Sequence, residues 1–161
     1  MEQRRAVGSI GLAWLTTIAI DFFVFGGAFV GLLEESSSAA VLPPEALFRR
    51  IPAGYASFLL EVLLLAWLLR STGSRGVVAG LRTGLGAGAI FATAVVLGLW
   101  SFTTVPVVAL MVWWLTLMLQ FTAAGAVLWS SGTAASRPLR RWVLGLVVLL
   151  VAGGIVLQNL R

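Results

Sequence analysis

The sequence predicts an all-α fold, a polytopic membrane helix bundle of five transmembrane helices. Three observations carry that prediction. The chain of 161 residues is 60% hydrophobic and only 11% charged, whereas a soluble domain carries about a quarter of its residues as charges. Five long apolar runs divide it. Its arginines, finally, fall at helix ends and mostly on one side of such a bundle. With so little polar surface the solvent of this chain is lipid, and only helices or closed barrels satisfy their backbone there. Runs this long, without strand alternation, choose helices. The length allows one transmembrane domain, residues 1–161, and no separate soluble one.

The first run, about 6–33, follows the basic start Arg4-Arg5. It is too long for the core of a signal peptide, about 7–15 residues, and an aspartate interrupts it, so it is read as a retained helix. The connector after it contains Pro43-Pro44-Glu45-Ala46-Leu47-Phe48-Arg49-Arg50. Proline at the start, an acid in the first turn and arginines in the last predict a short interfacial helix over about 44–50, lying on the membrane surface. The second span is about 51–69. A polar turn, Arg70 to Gly76, leads to the third, about 77–100. After Ser101 to Val105, Pro106 opens the fourth, about 106–129. A Ser/Gly/Ala stretch with Pro138 precedes the fifth, about 142–160. Each run reaches or approaches the roughly 20 residues that cross a bilayer.

Charge orients the bundle. With the N-terminus in the cytoplasm, Arg4, Arg5, Arg70, Arg75, Arg82, Arg137, Arg140 and Arg141 fall inside, and Arg49, Arg50 and Arg161 outside with Glu34, Glu35 and Glu45. That eight-to-three division obeys the positive-inside rule and predicts a bacterial inner-membrane location with the C-terminus outside. Trp67, Trp129 and Trp142 are then expected at the inner interface and Trp100 at the outer one. The basic excess follows membrane topology and is not a nucleic-acid signal.

Cysteine and histidine are both absent, and all eleven basic residues are arginine. Disulfides, thiolate or imidazole metal sites, histidine-ligated haem and lysine Schiff bases are thereby excluded. No cofactor and no metal are expected.

Two of the six acids, Asp21 and Glu61, interrupt apolar runs. Asp21 is 12 residues from Leu33, about 18 Å at 1.5 Å per residue, and Glu61 is 10 residues from Ile51, about 15 Å. Both are expected near the midplane, where an ionisable group costs roughly 2.5–3.5 kcal/mol and faces the bundle interior. Thr17 precedes Asp21 by four residues, Ser57 precedes Glu61 by four, and Thr116 precedes Gln120 by four. Residues four apart share a helix face, so three helices each pair a hydroxyl with a carboxyl or amide. If those faces converge they make one polar site, in which two carboxyls at one level do not both ionise, and at least one is expected to carry a proton near neutral pH.

Other features have two readings each. Arg82 either snorkels to the interface or pairs with Glu61 or an anion, with Thr93 on a similar face. Gly80, Gly84 and Gly88 let helices approach closely, within the monomer or at a homodimer seam through the third helix. Trp113 and Trp114 sit about two turns inside the fourth helix and either fill the core or line a ligand cavity.

At Asp21-Phe22-Phe23, at Pro43 through Tyr55 and at Leu97-Gly98-Leu99-Trp100-Ser101, the chain resembles a loose group of small uncharacterised bacterial polytopic membrane proteins, a resemblance that implies a membrane bundle and no activity. Five helices, seven tryptophans and Pro43-Pro44 followed by Phe48 are also similar to the tryptophan-rich sensory protein family, which implies porphyrin or sterol-like ligands. That family's tryptophans around the proline pair are missing here, and the second helix reads Leu-Leu-Glu-Val-Leu-Leu-Leu, so no ligand residues carry over.

The leading functional expectation is a small proton- or cation-linked transporter or binding module using Asp21 and Glu61. The rival is a non-catalytic accessory or scaffold protein whose buried polar residues pack the bundle. An intramembrane enzyme ranks third, because a carboxylate pair alone would do the acid–base work.

Overall fold

The computed structural model describes residues 2–29, 31, 44–73, 76–130 and 136–160. It consists of helices: α1 (Glu2–Asp21), continued by a π-helical segment (Phe22–Ala28), then α2 (Pro44–Ser71), α3 (Val77–Phe102), α4 (Val107–Ser130) and α5 (Ser136–Asn159). Five are long and apolar enough to cross a membrane, over Ala6–Ala28, Phe48–Ser71, Val77–Phe102, Val107–Trp129 and Arg140–Asn159. The expected five-helix bundle is therefore present.

Its surface is the inverse of a soluble protein's. Leu60, Trp67, Ile90, Trp100, Val108, Trp142, Leu149 and Val156 are all more than half exposed. Among the buried positions, beside large apolar side chains such as Leu65, Leu110 and Phe121, stand small and polar residues, including Ser9, Ala13, Thr16, Thr17, Ala92, Ala109, Thr116, Gln120 and Ala124. Large apolar side chains gain nothing by leaving lipid for a protein interior, so close packing of small residues decides the contacts.

Helices α3 and α4 form the most extensive pair. Gly80, Gly84, Gly88, Ala92 and Val96 make one buried stripe along α3. A Cβ on Gly84 would strike the carbonyl of Phe121, one on Gly80 the carbonyl of Gly125, and one on Gly88 would lie 2.8 Å from Phe121 Cβ. The backbones meet because no side chain stands between them. Phe121 also stacks on Phe91 at 5.2 Å between ring centroids. Of the two readings of the glycine spacing, packing within the monomer is the one observed.

A second cluster joins α1, α2 and α4 through Leu12, Ala13, Val62, Leu65, Leu69, Phe121, Ala124 and Val127. Trp14 adds a directional link, its indole Nε1 donating to the Tyr55 carbonyl on α2 at 2.8 Å. Trp14→Phe keeps the ring and removes the donor. The expected loss is about 1 kcal/mol, read as a lower thermal unfolding midpoint in detergent. An unchanged midpoint would mean that the bond contributes nothing net.

The structure departs from the sequence expectations at several places. The first helix does not continue as an α-helix to residue 33. It widens at Phe22, and Phe29 N–H donates five residues back to Val24 O at 2.8 Å; Leu33 lies outside the described residues. The widened segment packs on α5, where a Cβ on Gly27 would sit 2.8 Å from Gly154 Cα and the Phe22 ring covers Gly154. The short helix expected over 44–50 is not separate. Pro44–Ser71 is one helix with Pro52 inside it. Proline removes the hydrogen bond to Phe48 O but leaves the chain on either side free to stay helical, as membrane helices tolerate. Trp129 stands at the end of the fourth span, half-buried, with its ring against Gly80 and its Nε1 without an acceptor among the described residues. Trp67, Trp100 and Trp142 are exposed as a belt requires.

The connectors behave as their breakers predict. Gly73, at φ +63°, takes the left-handed turn that ends α2. The Thr103 N–H and hydroxyl both donate to Leu99 O, at 2.9 and 2.7 Å, closing α3. Pro106 O accepts from Leu110 N–H at 3.1 Å and so starts α4. Helix α5 touches chiefly the π-helical segment and α1, leaving most of its length exposed.

Candidate functional site

Three helices bring the interior polar groups together. Helix α1 carries Thr17 and ends its α-helical stretch on Asp21, the last residue before the helix widens. Gln120 comes from α4 and is 1% exposed. Its Nε2 donates to Thr17 O at 3.1 Å, and its amide also engages the Asp21 carboxyl. Glu61, from α2, stands near enough to Asp21 for their charges to interact. The helices thus bring Gln120 to Asp21 and Glu61 within reach of the Asp21 charge, while the crevice that Glu61 lines holds Thr17 and neither Asp21 nor Gln120. π-Helical turns inside α-helices recur at functional positions, and this one begins beside Asp21.

The site is short of donors. Glu61 Oε2 and Gln120 Oε1 are both buried without a hydrogen-bond partner. The neighbouring hydroxyls do not supply one. Thr17 donates to Trp14 O at 2.7 Å and Thr116 to Val112 O at 2.7 Å, both within their own helices. Such back-bonding satisfies a hydroxyl locally in an apolar surrounding. A narrow crevice lined by Thr17, Glu61, Val62, Leu65, Phe121 and Ala124 runs beside Glu61, too tight to seat a water molecule.

Not every predicted partner takes part. Ser57 is exposed and donates to Gly54 O at 2.7 Å. The reason is angular. Four residues of helix advance the direction by about 40° beyond a full turn. Glu61 stands at the edge of the buried stripe Val62, Leu65, Ala66 and Leu69, so a further step away from the stripe carries Ser57 out to the surface. Arg82 is exposed on α3, away from the glycine stripe and as its snorkelling reading requires. Trp113 packs edge-on to Phe25 at 5.9 Å, and Trp114 Nε1 donates to Thr93 Oγ1 at 3.0 Å. None of Arg82, Trp113 and Trp114 lines the crevice beside Glu61.

No family model, no curated protein and no solved structure matches the chain. The site's chemistry therefore rests on its own residues. Among the described residues no three acids, histidines or cysteines gather as a metal-ligand group. What the arrangement offers is two carboxyls and a fixed amide in an apolar interior, with two acceptor oxygens awaiting a donor.

Two features of the site escaped the sequence. The widening of α1 after Asp21 has no periodic signature, although Gly26-Gly27 marks where it packs. Thr16 is as buried as Thr17, at 2% exposure, and bonds Leu12 O at 2.8 Å; a hydroxyl pair in mid-helix was its only signal.

Proposed function

We propose that this chain is a small integral membrane protein of transport type, a proton- or cation-binding module whose ion-carrying groups are Asp21 and Glu61. The observation that carries the reading is the placing of Asp21 between Gln120, whose amide bonds it, and Glu61, whose charge reaches it, from three different helices, with Glu61 Oε2 and Gln120 Oε1 buried and without a partner among the described residues. A carboxyl costs several kcal/mol at membrane depth, and such residues mark ion and proton pathways. The proposal places the protein in a bacterial inner membrane with the N-terminus cytoplasmic, from the arginine distribution.

The rival reading, a scaffold in which polar residues serve as packing glue, draws less support. The tightest interface of the bundle, α3 against α4, is made by glycines and backbone, and a bundle that packs so well without acids does not need two of them elsewhere. A second copy meeting α3 would find the glycine stripe occupied by α4 and would have to use an exposed flank such as Leu81 and Leu85.

Labelling by a hydrophobic carbodiimide in native membranes, read by mass spectrometry along a pH series, tests the reading. Such reagents modify protonated carboxyls in apolar surroundings. Labelling of Asp21 or Glu61 that fades as pH rises is the expected result, together with loss of ion flux in proteoliposomes for Asp21→Asn and Glu61→Gln while both variants stay folded. Absence of labelling at every pH, with flux unaffected by either substitution, would favour the scaffold.

A further inference from the structure

The site has the composition to choose between the two kinds of ion that its proposed function leaves open. The orientation of Gln120 is settled by its bond to Thr17 O, since turning the amide over would set oxygen against oxygen. Its Oε1 therefore has no donor among the described residues, and Glu61 Oε2 is in the same condition. The hydroxyl hydrogens of Thr17 and Thr116 are committed to their own helices. A ligand here has to bring positive charge, a hydrogen-bond donor, or both.

A proton brings both and needs no volume. A hard metal cation takes six or more oxygens. The oxygens on hand are those of two carboxyls, one amide and the Thr17 hydroxyl, whose lone pairs stay free, so six are reached only if every one of them turns onto a single point; no third acid joins them among the described residues, and the crevice beside Glu61 has no room for a cation with waters to complete its shell. The facing groups from the other elements do not alter the balance. Helix α1 contributes Asp21, α4 contributes only the neutral Gln120 and Thr116, and Arg82 of α3 is exposed. One proton on the pair leaves a single negative charge in the apolar interior, where two would repel each other.

We infer that the ion held by this site is a proton and not a metal ion, bound on the Glu61 carboxyl within reach of the Asp21 charge. This rests on the ion-binding reading above. Uptake forms one O–H bond on Glu61 with a proton drawn from water, and release returns it to water.

Infrared difference spectroscopy of the full chain in lipid nanodiscs tests the inference. Raising the pH should bleach the carbonyl stretch of a protonated carboxylic acid. The band should shift on exchange into heavy water, be missing in Glu61→Gln and persist at a displaced position in Glu61→Asp, which keeps a carboxyl should the amide variant fail to fold. Sodium, potassium, magnesium or calcium at constant pH and ionic strength should change neither the band nor the thermal unfolding midpoint. A cation that bleaches the band or raises the midpoint in the wild type, and does neither in Glu61→Asp or Glu61→Gln, overturns the assignment to a proton and leaves an ion-binding site. No pH-dependent band together with no cation effect overturns both this inference and the proposed function.

Discussion

Gly84→Val should cost this bundle more stability than any substitution at its polar site. The glycine faces the carbonyl of Phe121 across α3 and α4, with Thr122 Cα 3.0 Å from where a Cβ would sit. Overpacking an ordinary core costs about 1–3 kcal/mol because side chains can rotate aside. Backbone atoms cannot, so the whole of α4 must move, and a cost at the top of that range, about 3 kcal/mol, is expected. Because α4 also carries Gln120 and Phe121, the displacement would propagate to α1 and α2. In size-exclusion chromatography after detergent extraction, Gly84→Val should elute as aggregate or with a strongly lowered unfolding temperature. Gly86→Ala and Gly98→Ala on the same helix meet nothing within 4 Å and should match the wild type. Equal behaviour of Gly84→Val and Gly86→Ala would show that α3 does not meet α4 along the glycine stripe.

Gln120→Leu should be the most damaging change at the polar site. The swap nearly conserves volume, so the cavity term that accompanies truncation is small. What goes is the amide donor. Thr17 O loses its bond from another helix, and the Asp21 carboxyl loses its amide partner. Leaving a buried polar group unpaired costs about 1–3 kcal/mol, in contrast to Thr116→Val, whose hydroxyl bonds only Val112 O in its own helix and whose loss is expected to be roughly 0.5 kcal/mol. A double-mutant cycle with Asp21→Asn separates the two bonds. If Gln120 acts through Asp21, the combined variant loses less than the sum of the singles, with an interaction energy of about 0.5 kcal/mol or more. Strict additivity would assign the effect to Thr17 O alone.

Much of this architecture is legible in one dimension because its causes are local. A run of about 20 apolar residues is a span whatever surrounds it, since an unpaired backbone in lipid is too costly. Gly73 and Pro106 interrupt helices through their own backbone chemistry, and the structure uses both as the sequence predicts. Asp21, Glu61 and Gln120 stand out because each breaks an apolar pattern, and a polar group inside a membrane has to face protein.

Which face each helix turns inward was not legible in the same way. In water the apolar side of a helix points to the core, and periodicity reveals it. In lipid the apolar surface is equally content outside, so the pattern carries little information about rotation. That is why Ser57, one turn from Glu61, lies exposed while Thr17, one turn from Asp21, is buried. It is also why the glycine spacing on α3 was compatible with a second copy until Phe121 and Gly125 of α4 were seen to fill it. The widening of α1 after Asp21 belongs to the same category. It is stabilised by Gly153 and Gly154, more than 120 residues further along the chain, and no local rule foresees a partner at that distance. Membrane insertion, helix ends and the identity of the buried acids are properties of short windows of sequence. The rotation of the helices, their choice of neighbours and the approach of Gln120 and Glu61 to Asp21 come from packing between distant segments, where contact between small residues selects the arrangement that hydrophobicity leaves open.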